Sequence, residues 1–236
     1  EELDMIVVST MSPDAVLPCT ACEVQKAIGA EGAVCFDLQA ACTGFIFAYN
    51  TAQAYIQSNM CRTVLLIGSE RLSRLVDWTD RGTCILFGDG AGAAVLKAAE
   101  GRAYLPISHS DGKKGEALTC DRYIHMDGRA VFQFAVTRVP EVIREVLTKN
   151  ELLMDDIDYF VLHQANRRIV EAVAKRLRQP IEKFPMNLQE YGNTSSASIP
   201  ILLDEMNRSG KLKKGQKLVV AGFGAGLSWG ASIVEW

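Results

Sequence analysis

The sequence contains little of what several protein classes require. None of its uninterrupted apolar runs approaches the roughly 18 residues of a membrane span. The formal net charge of −3 argues against general nucleic-acid binding. The first residues have neither the basic start nor the apolar stretch of a signal peptide. We therefore expect a cytoplasmic protein that acts on neither membranes nor nucleic acids.

Histidine is scarce, and cysteine occurs in a number that does not favour pairing. Seven cysteines in a chain of 236 residues predict reduced thiols rather than a disulfide framework. Cys19 and Cys22 fit the C-x-x-C spacing, but no second pair at zinc spacing follows and there are only three histidines. A helix entrance after Pro18 is therefore favoured over redox or metal chemistry, and we expect no metal site.

The composition is that of a folded domain, since 48% of the residues are hydrophobic and 22% are charged. Strand and helix patterns alternate over spans too long for hairpins, which predicts an α/β fold with a largely parallel sheet. The predicted strands are 5–9, 34–37, 63–67, 84–87, 92–97, 159–163, 185–188, 217–221 and 231–236. The predicted helices are 22–28, 43–58, 131–149, 167–177 and 196–209.

The chain also resembles itself. LDMIVV at 3–8 is similar to IDYFVL at 157–162, FDLQ at 36–39 to MNLQ at 186–189, and VLLIG at 64–68 to LVVAG at 218–222. The offsets are nearly constant: 158 − 4 = 154 for the first match and 188 − 38 = 150 for the second. Three matches in the same order predict two copies of one α/β unit. The alignment places Gly192-Asn193 at the position equivalent to Cys42, and His163 at the end of the strand that matches 5–9.

Ligand sites of α/β sheets form at the carboxyl ends of strands, so these three residues are candidates for catalysis. Cys42 fits either a small buried side chain or a nucleophile, and its position at a helix N-terminus favours a thiolate. His163 fits a structural hydrogen bond or a titratable group. Asn193 fits a helix N-cap or a site residue.

Basic residues outnumber acidic ones from 163 to 183. This segment fits a solvated helix face or a landing site for an acidic partner or phosphates. The basic residues are Arg167, Arg168, Lys175, Arg176, Arg178 and Lys183.

Five motifs, DLQAACTGF, FGDGAGAAVL, HQANRRI, YGNTSSASIP and GFGAGLSWG, closely resemble those of the β-ketoacyl-[acyl-carrier-protein] synthase III family. The resemblance runs from Leu3 to Trp236. It implies a thiolase-like fold of two duplicated α/β halves in an α/β/α/β/α arrangement, with a first half at 1–116 and a second at 117–236. Family members are longer at the front and between Cys120 and Asp121, so we expect that segments are omitted there.

The resemblance implies a decarboxylative condensation of a short acyl-coenzyme A, such as acetyl-coenzyme A, with malonyl-acyl carrier protein, which initiates bacterial fatty acid synthesis. Cys42 would carry the acyl group, and His163 and Asn193 would donate hydrogen bonds to the malonyl thioester. Coenzyme A thioester would be a substrate, and no cofactor is expected. Acyl carrier protein and a second copy of the chain would be the partners. The implied substrate-binding residues are Arg81, Met126, Phe132, Ala165, Asn166, Arg168, Gly224, Ala225 and Gly226.

Two departures from the family pattern concern the substrate contacts, since Arg129 stands where asparagine is common and Ala225 where glycine is common. Two other functions remain open. One is a related acyltransferase that loads a different starter for a polyketide or quinolone. The other is a non-catalytic homologue that only binds carrier protein.

Overall fold

The computed structural model describes residues 2–236. Short strands alternate with helices, and most of the predicted elements are present. The strands are β1 (Met5–Ser9), β2 (Val34–Leu38), β3 (Thr63–Arg71), β4 (Asp89–Lys97), β5 (Ile107–Ser110), β6 (Leu118–Cys120), β7 (Ile124–Met126), β8 (Tyr159–Leu162), β9 (Lys217–Gly224) and β10 (Ser228–Glu235). The helices are α1 (Thr20–Ile28), α2 (Gly44–Gln57), α3 (Gly128–Lys149), α4 (Arg167–Leu177), α5 (Leu188–Tyr191) and α6 (Ser198–Arg208).

Two four-stranded sheets carry the predicted duplication. The first has the order β2-β1-β3-β4 and the second β5-β10-β9-β8. In the first sheet β1 runs parallel to β3, and β3 pairs antiparallel with β4. In the second sheet β8 runs parallel to β9, and β9 pairs antiparallel with β10. Met5 of β1 pairs with Val64 of β3, and Tyr159 of β8 pairs with Leu218 of β9. The residue numbers of both partners differ by 154 between the two sheets (159 − 5 and 218 − 64), so the two strand pairs have the same register. The prediction of two copies of one unit is confirmed.

The two sheets and their helices form five layers. Helix α1 packs on the outer face of the first sheet through Ile6 and Val8 of β1, whose neighbours Met5 and Val7 face inward. Helices α2 and α6 lie between the sheets, and their apolar side chains form one core with strands of both. Helices α3 and α4 cover the outer face of the second sheet. This is the predicted α/β/α/β/α arrangement.

Two predicted strands are wrong. Residues 84–87 form turns, because β4 begins only at Asp89, opposite the end of β3 at Arg71, and the preceding residues have no strand to pair with. Phe87 instead makes a single bridge to Asn193. Residues 185–188 lead into helix α5 rather than pairing with β8.

Three short strands were not predicted. Strand β5 pairs with β10, and β6 with β7 in a separate hairpin closed by residues 121–123. They are three or four residues long, which is too short for a clear alternation of apolar and polar positions.

The domain boundary at 116/117 stays a prediction. In residues 2–236, no helix combines the length and apolar character that crossing a membrane requires.

Candidate active site

Cys42 lies in a tight turn that joins β2 to α2. The turn is one 3-10 unit, Ala41–Thr43, and it leads directly into the helix. Ala41 has a φ of 46°, a left-handed conformation that costs a non-glycine residue roughly 1–2 kcal/mol. The thiol of Cys42 is buried, with 7% of the residue exposed. The strained turn holds the thiol at a helix N-terminus, where the first N–H groups have no intrahelical acceptor.

His163 and Asn193 are held by backbone hydrogen bonds from neighbouring elements. The N–H of His163 donates to the carbonyl of Ala221 in β9 over 2.9 Å. The N–H of Asn193 donates to Leu86 over 2.8 Å, and its carbonyl accepts from Gly88 over 2.9 Å. The turns at 84–87 therefore fix the backbone of Asn193, although this segment is far from it in sequence.

The side-chain amide of Asn193 has a defined orientation. Its Oδ1 accepts a hydrogen bond from the N–H of Ser195 over 2.8 Å. Since the oxygen is engaged by the backbone, the NH₂ group of Asn193 is the part left to face a ligand. Asn193 is thus prepared to donate, as the resemblance implies.

A cavity of about 450 Å³ joins the three candidate catalytic residues. Most of the predicted substrate-binding residues share it, whereas Arg81, Ala225 and Gly226 do not line it. Arg81 is exposed beside Gly82, which does line the cavity. The predicted residues that line it are Cys42, His163, Asn193, Met126, Phe132, Ala165, Asn166, Arg168 and Gly224.

Gly224 leaves room beside the backbone amide of Cys42. A Cβ atom at Gly224 would lie 2.9 Å from the nitrogen of Cys42 and 3.0 Å from that of Thr43. Any larger residue would therefore crowd the N–H groups at the start of this helix. The N–H of Thr43 donates to the carbonyl of Ala40 over 3.1 Å, so the space gives a developing oxyanion access to the N–H of Cys42.

Burial determines the protonation of both titratable residues of the site. It raises the pKa of the Cys42 thiol to about 12, against a smaller lowering by the Ser195 side chain. It lowers the pKa of His163 to about 4, against a smaller raising contribution from the Ser195 backbone. The predicted thiolate is therefore wrong for the resting site, because desolvation outweighs the helix dipole. At neutral pH both the thiol and the imidazole are uncharged.

We expect the alkylation of Cys42 by iodoacetamide to rise steadily between pH 6 and pH 10. The thiolate is the reactive form, and below a pKa of about 12 its fraction grows about tenfold per pH unit. Peptide mass spectrometry after timed alkylation measures the rate at Cys42, and the exposed Cys120 in the same digest reports reagent accessibility. A plateau at Cys42 below pH 8 would show that the resting residue is a thiolate.

The structure corrects the predicted equivalence of Cys42 and Gly192-Asn193. The turn 41–43 matches the turn 195–197, since both are 3-10 units and both begin with a left-handed residue, Ala41 at φ 46° and Ser195 at φ 50°. The offset is again 154 (195 − 41), so Ser196 is the counterpart of Cys42. Helix α5 has four residues and changes the offset between the two halves from 150 before it to 154 after it. The alignment used the offset of 150 at this point and therefore placed the counterpart too early in the chain.

Glu70 is a buried residue of the site region that the sequence did not reveal. Its carboxylate accepts from the hydroxyls of Ser12 over 2.7 Å and Ser196 over 2.9 Å and from the N–H of Met11 over 3.1 Å. Burial raises its pKa, and its charge in turn raises the pKa of Cys42. By the offset of 154, Glu70 is the counterpart of Gly224 (224 − 70). Gly224 leaves a space beside Cys42, whereas the side chain of Glu70 fills the corresponding space beside Ser196.

Two further residues belong to the site: Arg129, which the sequence showed only as a departure from the family pattern, and Ser198, which was missed. Arg129 lines the cavity together with Arg168, whose guanidinium lies 5.3 Å from the ring centre of Phe132. The hydroxyl of Ser198 contacts Nδ1 of His163 over 2.8 Å. A signal for Ser198 was present in the sequence, because it lies at the helix start of the motif that contains Asn193.

Two family models match the chain. Residues 36–112 match 3-oxoacyl-[acyl-carrier-protein] synthase III, and residues 147–236 match the C-terminal part of the same family. The β-ketoacyl-[acyl-carrier-protein] synthase III of Clostridium novyi is 47% identical over 253 residues, which cover 100% of this chain and 78% of the relative.

Solved structures give the same result. The 3-oxoacyl-[acyl-carrier-protein] synthase III of Aquifex aeolicus superposes with a TM-score of 0.97 at 44% identity, covering 100% of this chain and 78% of that one. The priming β-ketosynthase of the R1128 polyketide pathway reaches a TM-score of 0.94 at 35% identity, covering 99% and 75%. The chain therefore belongs to the β-ketoacyl-[acyl-carrier-protein] synthase III family, thiolase-fold acyltransferases whose condensation reaction initiates fatty acid synthesis.

Proposed function

We propose that Cys42, His163 and Asn193 carry out this condensation in two half-reactions on a short acyl-coenzyme A and malonyl-acyl carrier protein. The observation that supports the proposal is the single cavity lined by all three. In the first half-reaction the sulfur of Cys42 attacks the acyl thioester. The bond to the coenzyme A sulfur breaks, and the thiol proton ends on that sulfur. The product is an acyl-Cys42 thioester and free coenzyme A.

In the second half-reaction the malonyl thioester takes the place of coenzyme A. The bond to its carboxylate breaks, carbon dioxide leaves, and negative charge moves onto the thioester oxygen. His163 and Asn193 donate hydrogen bonds to that oxygen, where donors contribute most as charge develops. The carbanion then attacks the acyl-Cys42 carbonyl, and Cys42 is released and takes a proton from solvent.

The uncharged state of the site suits this division of roles. A neutral imidazole keeps one nitrogen with a hydrogen, so His163 is able to donate without carrying a positive charge. The amide of Asn193 donates through its NH₂ group because Ser195 engages its oxygen. The backbone N–H of Cys42 beside Gly224 serves the second oxyanion. Thioester exchange, loss of carbon dioxide and proton transfer account for every bond formed and broken, so we propose no cofactor.

The mouth of the cavity is suited to an anionic carrier. Arg129 and Arg168 line it, and within residues 2–236 neither forms an ion pair with a carboxylate. Other basic residues of the segment are engaged elsewhere: Arg176 donates to the carbonyl of Val136, and Lys183 donates to that of Ile157. We therefore propose that Arg129 and Arg168 bind the phosphate of the pantetheine arm and the acidic carrier protein.

We also propose a homodimer that pairs through β4. This strand is nine residues long and lies at the edge of the first sheet. Val95 on it is 62% exposed. An exposed apolar edge of this length is a template for pairing with another strand, and a twofold axis lets two identical edges pair.

The cytoplasmic location remains a proposal, which the free cysteines of the described residues support.

Loading of a polyketide or quinolone starter is the second candidate function. The R1128 priming enzyme shares the fold at lower identity than the synthase of Clostridium novyi does. The cavity volume of about 450 Å³ must hold both the acyl group and the end of the pantetheine arm, which favours a short starter. A non-catalytic carrier-binding role is disfavoured because the cavity keeps all three reactive side chains together.

The separate replacements His163→Ala and Asn193→Ala test the roles in the second half-reaction. We expect each to lower decarboxylation of malonyl-acyl carrier protein by about 100-fold, because each removes one donor from the developing oxyanion. Transfer of the acyl group from acetyl-coenzyme A to Cys42, measured by intact mass, should change far less. Equal losses in both half-reactions would contradict the proposed division of labour.

A further inference from the structure

The hydroxyl of Ser198 occupies a position that determines which nitrogen of His163 carries the proton. Ser198 is the first residue of α6 and is 3% exposed. Its Oγ lies 2.8 Å from Nδ1 of His163 and 2.8 Å from the carbonyl oxygen of Ser195. It also accepts from the N–H of Gln164 over 3.3 Å. The one hydroxyl hydrogen goes either to the carbonyl of Ser195, which is always an acceptor, or to Nδ1 of His163, which accepts only when the imidazole hydrogen is on Nε2.

The backbone indicates which acceptor needs this hydrogen. The carbonyl of Ser195 already accepts a hydrogen bond from the N–H of Ser198 itself. The Gln164 N–H supplies a donor to the Ser198 oxygen, so this oxygen does not need a hydrogen from the imidazole. The hydroxyl hydrogen is thus free to point at Nδ1 of His163, which then acts as an acceptor and leaves the imidazole hydrogen on Nε2.

The duplication shows that the turn does not require this hydroxyl. By the offset of 154, Ser198 is the counterpart of Gly44 (198 − 44), and His163 is the counterpart of Ser9 (163 − 9). A Cβ atom at Gly44 would lie 2.0 Å from the oxygen of the Ser9 hydroxyl, so in the first half the side chain of Ser9 fills this space. Both halves form the same turn and helix start, although the first helix residue carries a hydroxyl only in the half that provides the histidine. The Ser9 hydroxyl of the first half has no hydrogen-bond partner among the described residues.

We propose that Ser198 is a positioning residue that holds His163 in the tautomer with its hydrogen on Nε2. This inference rests on the proposed function, in which Nε2 donates to the malonyl thioester oxygen. Without the hydroxyl, the acceptor left near Nδ1 is the carbonyl of Ser195, and the imidazole hydrogen moves to Nδ1 to reach it. Nε2 would then present a lone pair to the thioester oxygen, which is repulsive.

The tautomer is measured directly by NMR of protein labelled with ¹⁵N-histidine. Only three histidines are present, so the His163 signals are assigned by comparison with the spectra of His109→Gln and His125→Gln variants. The wild-type protein should show the hydrogen on Nε2 of His163. In Ser198→Ala it should move to Nδ1. An unchanged Nε2–H tautomer in Ser198→Ala overturns the proposal.

The two half-reactions give a second readout. In Ser198→Ala we expect malonyl decarboxylation to fall by about 100-fold, as for loss of one oxyanion donor, while acetyl transfer to Cys42 stays within about threefold. Ser198→Thr keeps a hydroxyl and should restore both decarboxylation and the tautomer. Ser232→Ala, which removes another buried serine hydroxyl bonded to Asn50, should leave both readouts at the wild-type level.

The combination of readouts separates this inference from the proposed function. A tautomer shift in Ser198→Ala together with unchanged decarboxylation would uphold the control of His163 by Ser198 and refute donation by His163. Loss of both half-reactions to the same extent, with the tautomer unchanged, would show that Ser198 acts only on folding. Failure of Ser198→Thr to recover the Nε2–H tautomer, in a protein that folds as the wild type does, also refutes the role of the hydroxyl.

Discussion

Condensation by the Cys42→Ala variant is expected to fall by about 10⁴-fold, the largest loss that any single replacement in this chain should cause. The reason is chemical, since alanine has no atom that is able to accept the acyl group, and no other thiol lines the cavity in the described residues. Brief incubation with acetyl-coenzyme A, followed by mass spectrometry of intact protein and peptides, measures the step directly. The wild type should gain one acetyl group on the Cys42 peptide, and the variant none.

Cys61→Ala is the matched control. Cys61 is also buried, with 6% of the residue exposed, and it packs in the central core away from the cavity. Its replacement removes a buried thiol of the same size, so any effect of lost packing should appear in both variants. Acetylation and condensation should remain near the wild-type level in Cys61→Ala. Condensation that survives in Cys42→Ala would instead make Cys42 a core residue and refute the proposed first half-reaction.

The duplication could be read from the sequence because strand sequences carry a strong pattern. Both β1 and β8 are nearly continuous apolar runs that are buried on two faces, and such runs align without ambiguity. The loop after them could not be aligned, since α5 adds four residues without an apolar pattern. The counterpart of Cys42 was therefore misplaced by three to four residues, at Gly192-Asn193 instead of Ser196.

The chemistry of the site was predicted only in part. Cys42 and His163 follow strands whose ends could be located, whereas the strand predicted before Asn193 is wrong, and the fold brings all three residues to one cavity. The protonation state could not be predicted, because it depends on the burial of Cys42 and His163 by segments distant in sequence. Glu70 was missed for the same reason, since a glutamate at the end of a strand is usually exposed and only the fold shows that this one is buried.

The replacement Gly68→Ala should cause a large loss of stability. A Cβ atom at Gly68 would lie 2.4 Å from the carbonyl oxygen of Ser196, 2.8 Å from its carbon and 3.0 Å from the Cα of Ala197. All three are backbone atoms of the turn that precedes α6, so no side chain is able to rotate away. We expect the free energy of unfolding to fall by about 3–5 kcal/mol, measured by urea denaturation.

Two other glycines make the cause of this loss testable. Gly222 is the counterpart of Gly68 (222 − 68 = 154), but the atoms within 3.4 Å of its Cβ position belong to the side chains of His163 and Ile46. Because side chains yield more easily than backbone, Gly222→Ala should be less destabilising than Gly68→Ala. Gly32 has nothing within 4 Å of its Cβ position and no left-handed φ, so Gly32→Ala should stay within about 0.5 kcal/mol of the wild type. Equal losses at Gly68 and Gly32 would mean that the two halves do not meet as closely as the structure shows, and the site between them would then lack the rigid turn that places Asn193 and Ser198.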